Sequence, residues 1–479
     1  MRRHLMIVTA AAVVAASVIS FRGAYEADLF WHLAQGREVA SGHLVRTNLF
    51  SYVAPDYPQP YTGWLFDLGL YGLWTAWGAT AVQAAQAILI ALALVACAGA
   101  ATTGSSGAAS LMVSVLIWLT IEPRAIPRPH VFSFAALAGC VWLIEQAIAR
   151  KSSRPLLWAI PLVVVWSNVH VESVFGVALL GIFAGGEWLR PSSLARGEAL
   201  RAVGIAALAL AATLITPYGA GILRYLYENT AVPSLINIAE LQPPYLPNYR
   251  GFFAFAALAG MVAALRWRSI ALWELAALMV FGVLGFRYLR LTPMAAIATA
   301  AITARGIDAV FARGLDRRAA VITTVAAGVL LSRVPATALV SQLNIRADAL
   351  TPQAFFSEAA MQYARDHAMA GPVYVSNNIG GFVEWSLYPS ARVFQDSRLQ
   401  AYPRQHFQQM LDAWGSPARW AAMVAGVDWA VLSRPRDNEL SGTSRFSTAE
   451  WAVVFRDEAI DIVVRKTGAY GQLATAPAR

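Results

Sequence analysis

An acidic residue and a histidine stand four positions apart in the run Asp28-Leu29-Phe30-Trp31-His32. On a helix that begins near Asp28, these two side chains share one face. Glu26 adds a second carboxylate, and such an acidic-x-acidic pair can hold a divalent cation or provide a general base. The residue types leave one alternative open, in which Asp28 caps the helix and His32 lies on the surface.

Arginines, histidines and an amide collect at three further breaks between apolar runs, at 122–130, 166–172 and 286–290. Arginine binds phosphate with two parallel hydrogen bonds, so these breaks are candidate seats for a phosphate group. Arginines that merely reach from a helix end to the membrane surface are the alternative. The candidate binding residues are Arg124, Arg128, His130, Asn168, His170, Arg287 and Arg290.

The chain of 479 residues is 57% hydrophobic and only 14% charged, with a mean hydropathy of +0.50. A charged share of roughly 25% is usual. A soluble chain of this length cannot bury so much apolar surface in a few domain cores, so the excess predicts contact with lipid. Cys97 and Cys140 both lie in apolar runs, which argues against a disulfide framework and against a cysteine metal cluster.

Apolar segments of a length that can cross a bilayer recur along the first two thirds of the chain. They predict a polytopic α-helical membrane protein with about eleven transmembrane helices. Residues 63–79 predict an interfacial helix that precedes the second span. The predicted spans are 5–21, 80–100, 109–122, 131–149, 155–168, 173–189, 201–216, 251–265, 270–286, 290–311 and 319–337.

The basic residues indicate which loops lie in the cytoplasm. The N-terminus and the short loops on its side hold 13 arginines and lysines. The loops on the other side hold 9 and are about twice as long in total, which is the positive-inside pattern. The alanine- and arginine-rich composition favours a bacterial inner membrane. The long loop 22–79 and all the polar breaks then fall outside, whereas the cytoplasmic loops are short and offer no pocket.

The composition changes after residue 340, which predicts a transmembrane domain over 1–340 and a soluble α/β domain over 341–479 on the outer side. Residues 404–425 predict helix in two pieces. Asp396 and Arg398 follow a strand end, where they either bind a ligand or tie a loop as an ion pair. The predicted strands are 373–375, 393–394, 429–432, 452–455 and 460–464.

In their order and spacing, these motifs resemble bacterial members of the GT-C superfamily of integral-membrane glycosyltransferases. The likeness covers most of residues 1–311, and the matching parts are 28–36, 48–52, 128–132, 166–170 and Arg290 with Pro293. The resemblance implies a GT-C-like catalytic domain that moves a sugar from a polyprenyl-phosphate donor. The acceptor would be a lipid, a glycan or a protein on the extracytoplasmic face, and no nucleic acid takes part.

The resemblance also implies roles for individual residues. The family uses an acidic residue of the first outer loop as catalytic base, which makes Asp28 the candidate base, with Glu26 and His32 as accessory groups. The arginines at positions 124, 128, 287 and 290 are candidate contacts to the donor phosphate, where negative charge develops as its bond to the sugar breaks. Many relatives carry two aspartates where this chain has Glu26 and Asp28. No metal site is therefore assigned, although Mg²⁺ or Mn²⁺ is compatible with the pair.

The sequence leaves three alternative functions open. A transporter would carry ionisable residues in the middle of its spans and would often show internal repeats, neither of which is evident. An export scaffold would account for the C-terminal domain but not for Asp28 beside a row of arginines. A polymerase or ligase of lipid-linked glycans would use the same outer site and differs only in its substrates.

Overall fold

A computed structural model describes residues 27–59, 63–221, 227, 239–311, 318, 321, 356–434 and 445–475. The predicted span 5–21, the predicted span 319–337 except residue 321, the predicted boundary at residue 340 and Glu26 lie outside these described residues. Contacts divide the chain into two compact units. The helical unit comprises 1–22, 83–219 and 237–344, and the mixed unit comprises 23–82, 220–236 and 345–479.

Helix α1 (Leu29–Ala40) belongs to the mixed unit, and α2 (Trp64–Gly104) continues from the mixed unit into the helical unit. Gly78 interrupts α2 with a φ of 68°, a conformation that glycine adopts without steric cost. This break lies at the predicted boundary between residues 63–79 and the following span. The helical unit continues with α3 (Gly107–Ile121), α4 (His130–Arg150), α5 (Ala159–Val169), α6 (Ser173–Leu189), α7 (Arg196–Ala212), α8 (Arg250–Leu265), α9 (Leu272–Arg287), α10 (Thr292–Ala298) and α11 (Ala300–Phe311).

Each predicted span between residues 80 and 311 coincides with a helix or a helix pair, but most of these helices are short. Among the described residues, only α2 and α4 are long and apolar enough to cross a membrane, with a third span if α10 and α11, bent by 59°, count together. The described helices therefore do not confirm eleven spans, because most of them are too short to cross a bilayer. A helix of 15 to 17 residues, such as α3 or α6, spans only about 23–26 Å.

Apolar side chains on the outside of the helical unit nevertheless indicate a membrane environment. Leu208, Met279 and Val283 are each about 60% exposed, and many other large apolar residues of this unit are similarly open. No large apolar side chain is exposed within 356–434 or 445–475. A soluble protein rarely presents an apolar surface of this extent, so we infer that it faces lipid.

Glycines bring the helix backbones of this unit close together. A Cβ atom at Gly186 of α6 would lie 2.9 Å from the backbone nitrogen of Trp273 in α9. One at Gly251 of α8 would lie 2.6 Å from the backbone carbonyl of Leu119 in α3. Close contacts through small residues are typical of packing between membrane helices.

The mixed unit contains a five-stranded sheet in the order β2–β1–β3–β5–β4. The first three of these strands run parallel to one another, and β5 is antiparallel to both of its neighbours. All five predicted strands are confirmed, as are the two helical pieces within 404–425. The elements are α12 (Glu358–Asp366), β1 (Gly371–Val375), α13 (Gly380–Leu387), β2 (Ala391–Val393), α14 (Arg404–Trp414), α15 (Pro417–Met423), β3 (Trp429–Ser433), β4 (Trp451–Arg456) and β5 (Ile460–Arg465).

The first long loop packs on this sheet within the mixed unit. The backbone N–H of Val393 in β2 donates to Phe50 (3.0 Å), and the N–H of Tyr52 donates to the carbonyl of Val393 (3.2 Å). The amide of Asn48 donates to the carbonyl of Ala401 at 2.8 Å. Residues 23–82 and the C-terminal segment consequently share one compact unit, although the sequence suggested that the loop belongs with the spans.

Candidate active site

Asp28 stands at the N-terminus of α1, but its carboxylate forms no capping hydrogen bond. It accepts a hydrogen bond from Oγ of Ser397, which lies in the loop after β2. The alternative in which Asp28 serves as a side-chain cap is therefore wrong. The half-buried carboxylate of Asp28 is oriented by a residue 369 positions away in the chain.

His32 is buried one turn after Asp28, so its predicted alternative as a surface residue is also wrong. Nδ1 of His32 lies 2.6 Å from Oδ1 of Asp67 near the start of α2, and both side chains are inaccessible to solvent. The imidazole stacks on the indole of Trp31, with a centroid separation of 3.6 Å. These contacts fix α1 against the first part of α2.

The residues on both sides of Ser397 form a buried ionic network. Arg398 donates from Nε and Nη2 to the two carboxylate oxygens of Asp396, at 2.9 and 2.6 Å. Nη2 of Arg398 also contacts Glu384 at 3.1 Å, and the Tyr402 hydroxyl donates to Asp396 at 2.7 Å. This geometry agrees with the predicted alternative, in which an Asp396–Arg398 ion pair ties a loop. The ion pair holds Ser397 in place.

The electrostatics of the network favour one charged carboxylate rather than two. Burial raises the pKa of Asp396, but the Arg398 guanidinium outweighs burial and the resulting pKa lies below the ordinary value. Burial raises the pKa of Glu384 well above its ordinary value, and the neighbouring carboxylate of Asp396 raises it further. The surroundings thus favour the neutral form of Glu384 and the charged forms of Asp396 and Arg398.

In the helical unit, two predicted arginines meet at one carboxylate. Nη1 of Arg124 lies 2.7 Å from Oε1 of Glu240, and Nη1 of Arg128 lies 3.1 Å from the same oxygen. Burial raises the pKa of Glu240, but Arg124 and Arg128 outweigh it and hold this pKa far below its ordinary value. Glu240 is thus an anion that occupies a position between two arginines.

A second carboxylate, Glu172, joins the other predicted residues of this unit. Arg290 lies 3.3 Å from one of its oxygens, and Nδ1 of His170 lies 3.2 Å from the other. Burial raises the pKa of Glu172, but His170 and Arg290 outweigh it and bring this pKa to about 2. We call Arg124, Arg128, His170, Glu172, Glu240 and Arg290 the arginine cluster.

The other three predicted residues are not members of this cluster and make structural contacts. Nε2 of His130 donates to the backbone carbonyl of Arg124 at 2.8 Å, which braces the turn that carries both arginines. The amide of Asn168 donates to the carbonyl of Ile215 at 2.8 Å. Arg287 is exposed and lies over the Tyr288 ring at 5.0 Å, outside the arginine cluster.

Comparison with solved structures gives the fold. The archaeal oligosaccharyltransferase AglB from Archaeoglobus fulgidus, in complex with an inhibitory peptide and a dolichol-phosphate, superposes with a TM-score of 0.59. The identity is 12%, and the match covers 89% of this chain and 69% of that one. AglB is a GT-C superfamily glycosyltransferase. This chain has the GT-C fold.

Two further structures match this chain. A crystal structure of the oligosaccharyltransferase of Archaeoglobus fulgidus in complex with Zn and sulfate has a TM-score of 0.53 and 12% identity, over 89% of this chain and 68% of that one. ArnT from Cupriavidus metallidurans, bound to undecaprenyl phosphate, has a TM-score of 0.47 and 14% identity over the whole of both chains. No protein-family pattern and no curated protein matches the sequence.

The described part of the chain contains no group of three histidine, cysteine or acidic side chains that could hold a metal ion. Asp28 and Ser397 bring together one carboxylate and one hydroxyl. Mg²⁺ is usually held by one or two carboxylates with waters and substrate phosphates, so these two residues alone assign no metal site.

Sequence reasoning missed several members of both sites. Glu240 and Asp67 gave no signal, because a lone acidic residue in a loop or helix is common. Ser397 stood inside a motif that drew attention for its charged neighbours, and only the fold connects it to Asp28. The expectation that the cytoplasmic loops offer no pocket is wrong, since a cavity of about 270 Å³ is lined by Glu145, Glu274 and Arg305 at those helix ends.

Proposed function

We propose that this GT-C protein is a glycosyltransferase that moves a sugar from a polyprenyl-phosphate donor to an acceptor hydroxyl. The observation that carries the proposal is the carboxylate of Asp28, which is not used to cap its helix and is oriented by Ser397 beside a buried ionic network. A rigidly held, half-buried carboxylate suits a general base, because proton transfer requires a fixed distance to the acceptor hydroxyl.

In the proposed reaction, Asp28 takes the proton of the acceptor hydroxyl while its oxygen attacks the anomeric carbon of the sugar. The bond from that carbon to the phosphate oxygen breaks, and polyprenyl phosphate leaves with the bonding electrons. Ser397 is a positioning residue that holds the Asp28 carboxylate. No step requires a cation, and Glu26, the proposed accessory carboxylate, lies outside the described residues.

The arginine cluster is the proposed binding site for the donor phosphate. Its guanidinium groups are concentrated at one place, and Arg124 and Arg128 already hold an anionic oxygen of Glu240. A phosphate oxygen has the same charge and hydrogen-bonding character, so Glu240 occupies a position suited to phosphate. The dolichol-phosphate in the AglB structure is a ligand of the same chemical class. We propose that Glu240 leaves the two arginines when the donor binds.

The proposed topology places the reaction on the extracytoplasmic face of a bacterial inner membrane, with the segment 341–479 outside. The distribution of basic residues and the exposed apolar side chains of the helical unit support it. Attack by a lipid, glycan or protein hydroxyl would use the same groups. Assays with each acceptor class therefore distinguish a single-sugar transferase from a polymerase or ligase.

Replacement of Glu240 by glutamine is expected to strengthen binding of polyprenyl phosphate by about tenfold, because the two arginines lose their competing anion. The measurement is the dissociation constant in detergent micelles. Lowering the pH to 5 is not expected to reproduce the effect, since the arginines lower the pKa of Glu240 and keep it ionised there. Glu198→Gln, which removes a carboxylate paired with Arg201 on α7, is the matched control and should leave the constant unchanged.

Replacement of Arg128 by glutamine is expected to weaken the same binding by about tenfold, because one charged donor to the phosphate is lost. Arg201→Gln removes an exposed arginine of α7 and serves as the control. Opposite shifts for Glu240→Gln and Arg128→Gln would support the phosphate site. Wild-type protein that binds polyprenyl phosphate no better than an uncharged polyprenol would overturn it.

A further inference from the structure

A cavity of about 550 Å³ lies within the mixed unit. Its wall is formed by α1, the first part of α2, the start of α12, α13 and the turn between β4 and β5. Ligand pockets usually measure about 300–1,000 Å³. Phe30, which lines the cavity, follows Asp28 by two positions, so the two side chains lie on nearly opposite sides of α1. The cavity is therefore separate from the candidate base.

Half of the described residues in the wall are aromatic. The ring of Phe30 meets those of Phe356 and Phe382 edge to face, at centroid separations of 4.8 and 4.9 Å. It also meets the Trp74 indole at 6.2 Å, and these contacts hold the rings in fixed positions. Trp74 and Trp385 are only half-buried, which leaves part of each indole open to a ligand.

Three carboxylates complete the wall, and no lysine or arginine lines it among the described residues. Glu358 forms an exposed ion pair with Arg365. Asp457 and Glu458 form no ion pair with any described side chain. One carboxylate oxygen of Asp457 accepts two backbone N–H groups of its turn, both at 2.8 Å, so this carboxylate is held in place.

The charged residues behind the wall do not cancel this negative charge. Arg434 and Arg456 both contact Asp461, at 3.6 and 2.8 Å, which leaves one surplus positive charge near the turn. Arg37 lies over the indole of a wall tryptophan at 5.1 Å, but Glu38 at 3.9 Å balances its charge. Two carboxylates without an ion pair and one surplus arginine leave one net negative charge around the cavity.

We propose that this cavity binds a small organic cation through an alkylammonium group. Aromatic faces attract such a group, and so does the net negative charge. The carboxylates do not suit an inorganic ion, because no group of three acidic, histidine or cysteine side chains in the described ranges could hold a metal. A zwitterionic lipid headgroup fits less well, because its phosphate would face the same carboxylates. The proposal does not depend on glycosyl transfer.

The test is isothermal titration calorimetry of the purified full-length protein in an uncharged detergent. The probe is choline, and the reference is the alcohol in which carbon replaces the choline nitrogen, since it has the same shape but no charge. Wild type is expected to bind choline about tenfold more tightly than this alcohol.

Two variants with matched controls locate the binding. Trp74→Leu should weaken choline binding about tenfold, because an open aromatic face is lost. Trp77→Leu is its control, since Trp77 is 73% exposed on the same helix and does not line the cavity. Glu458→Gln should weaken binding about threefold, because its carboxylate is exposed. Glu450→Gln, which removes an exposed carboxylate outside the cavity, should leave it unchanged.

Equal binding of choline and the alcohol by wild type would overturn the proposal, as would no binding of choline. Unchanged binding in both Trp74→Leu and Glu458→Gln would contradict it as well. If Trp74→Leu fails to fold, the Glu458→Gln result decides, because an exposed side chain can be replaced without disturbing the core. Glycerophosphocholine that binds more tightly than choline would overturn a free cation and assign the cavity to a lipid headgroup.

Discussion

Replacement of Arg398 by methionine is expected to destabilise the mixed unit by about 3–5 kcal/mol. The side chains of Arg398, Asp396 and Glu384 are each about 1% exposed, so the variant leaves the Asp396 carboxylate in the protein interior without its counter-charge. Arg398 also lies over the Phe50 ring at 5.1 Å. Its loss therefore removes a contact between the first loop and the sheet as well as a charge.

The measurement is amide hydrogen exchange in β1 and β3 of the full-length protein, where protection should fall by about two to four powers of ten. Arg419→Met is the control, because its pair with Asp412 is 2.9 Å long but exposed, and such pairs contribute about 1 kcal/mol or less. Glu384→Gln should destabilise the mixed unit less than Arg398→Met does, because burial already favours the uncharged form of Glu384. Equal protection in Arg398→Met and wild type would contradict the buried network.

Replacement of Asp28 by asparagine is expected to reduce glycosyl transfer by about 10²–10⁴-fold, which is the usual contribution of a general base. Asparagine keeps the shape of the side chain and a hydrogen-bond acceptor for Ser397 but cannot take a proton. The loss should appear in kcat, with binding of polyprenyl phosphate unchanged, because the proposed phosphate contacts are in the arginine cluster. The measurement is the initial rate of transfer from a radiolabelled polyprenyl-phosphate sugar.

Two companion variants separate catalysis from folding. Asp56→Asn removes an exposed carboxylate of the same loop and should leave the rate unchanged. Ser397→Ala removes only the hydroxyl that orients Asp28 and should lower kcat by about tenfold, with no change in the amount of folded protein. An unaltered rate in Asp28→Asn would remove Asp28 from the mechanism.

The elements that repeat a local pattern were predicted well from sequence. The strands β1 to β5 follow short apolar runs, and the two pieces within 404–425 end where Gly415 and Pro417 interrupt the helix. The break at Gly78 follows from the same reasoning. Each of these features is set by neighbours in the chain, which a sequence displays directly.

Contacts between distant segments could not be predicted in this way. Asp28 and Ser397 lie in two motifs that the sequence suggested separately, and no spacing rule joins positions so far apart. Glu240 likewise meets Arg124 and Arg128 across 116 and 112 positions. The sequence indicated that arginines would collect in the helical unit. It did not indicate that a carboxylate would already form ion pairs with them.

The count of spans and the charged cavity were missed for related reasons. Hydropathy identifies apolar helices but does not decide whether 16 residues, as in α9, cross a bilayer by themselves. Glu145, Glu274 and Arg305 were overlooked because each is a single charge near the end of an apolar segment. Only the packing of three helices brings them together, and mutual neutralisation then allows them to be buried.

The most direct test of the proposed function uses purified protein in liposomes with a radiolabelled polyprenyl-phosphate sugar and a membrane extract as the source of acceptors. Both products are measured, namely the labelled acceptor and the polyprenyl phosphate that is released. The proposed mechanism predicts that wild type forms the two in equal amounts and that Asp28→Asn forms neither above background. A labelled donor that stays intact with wild type, or equal transfer by both proteins, would contradict it.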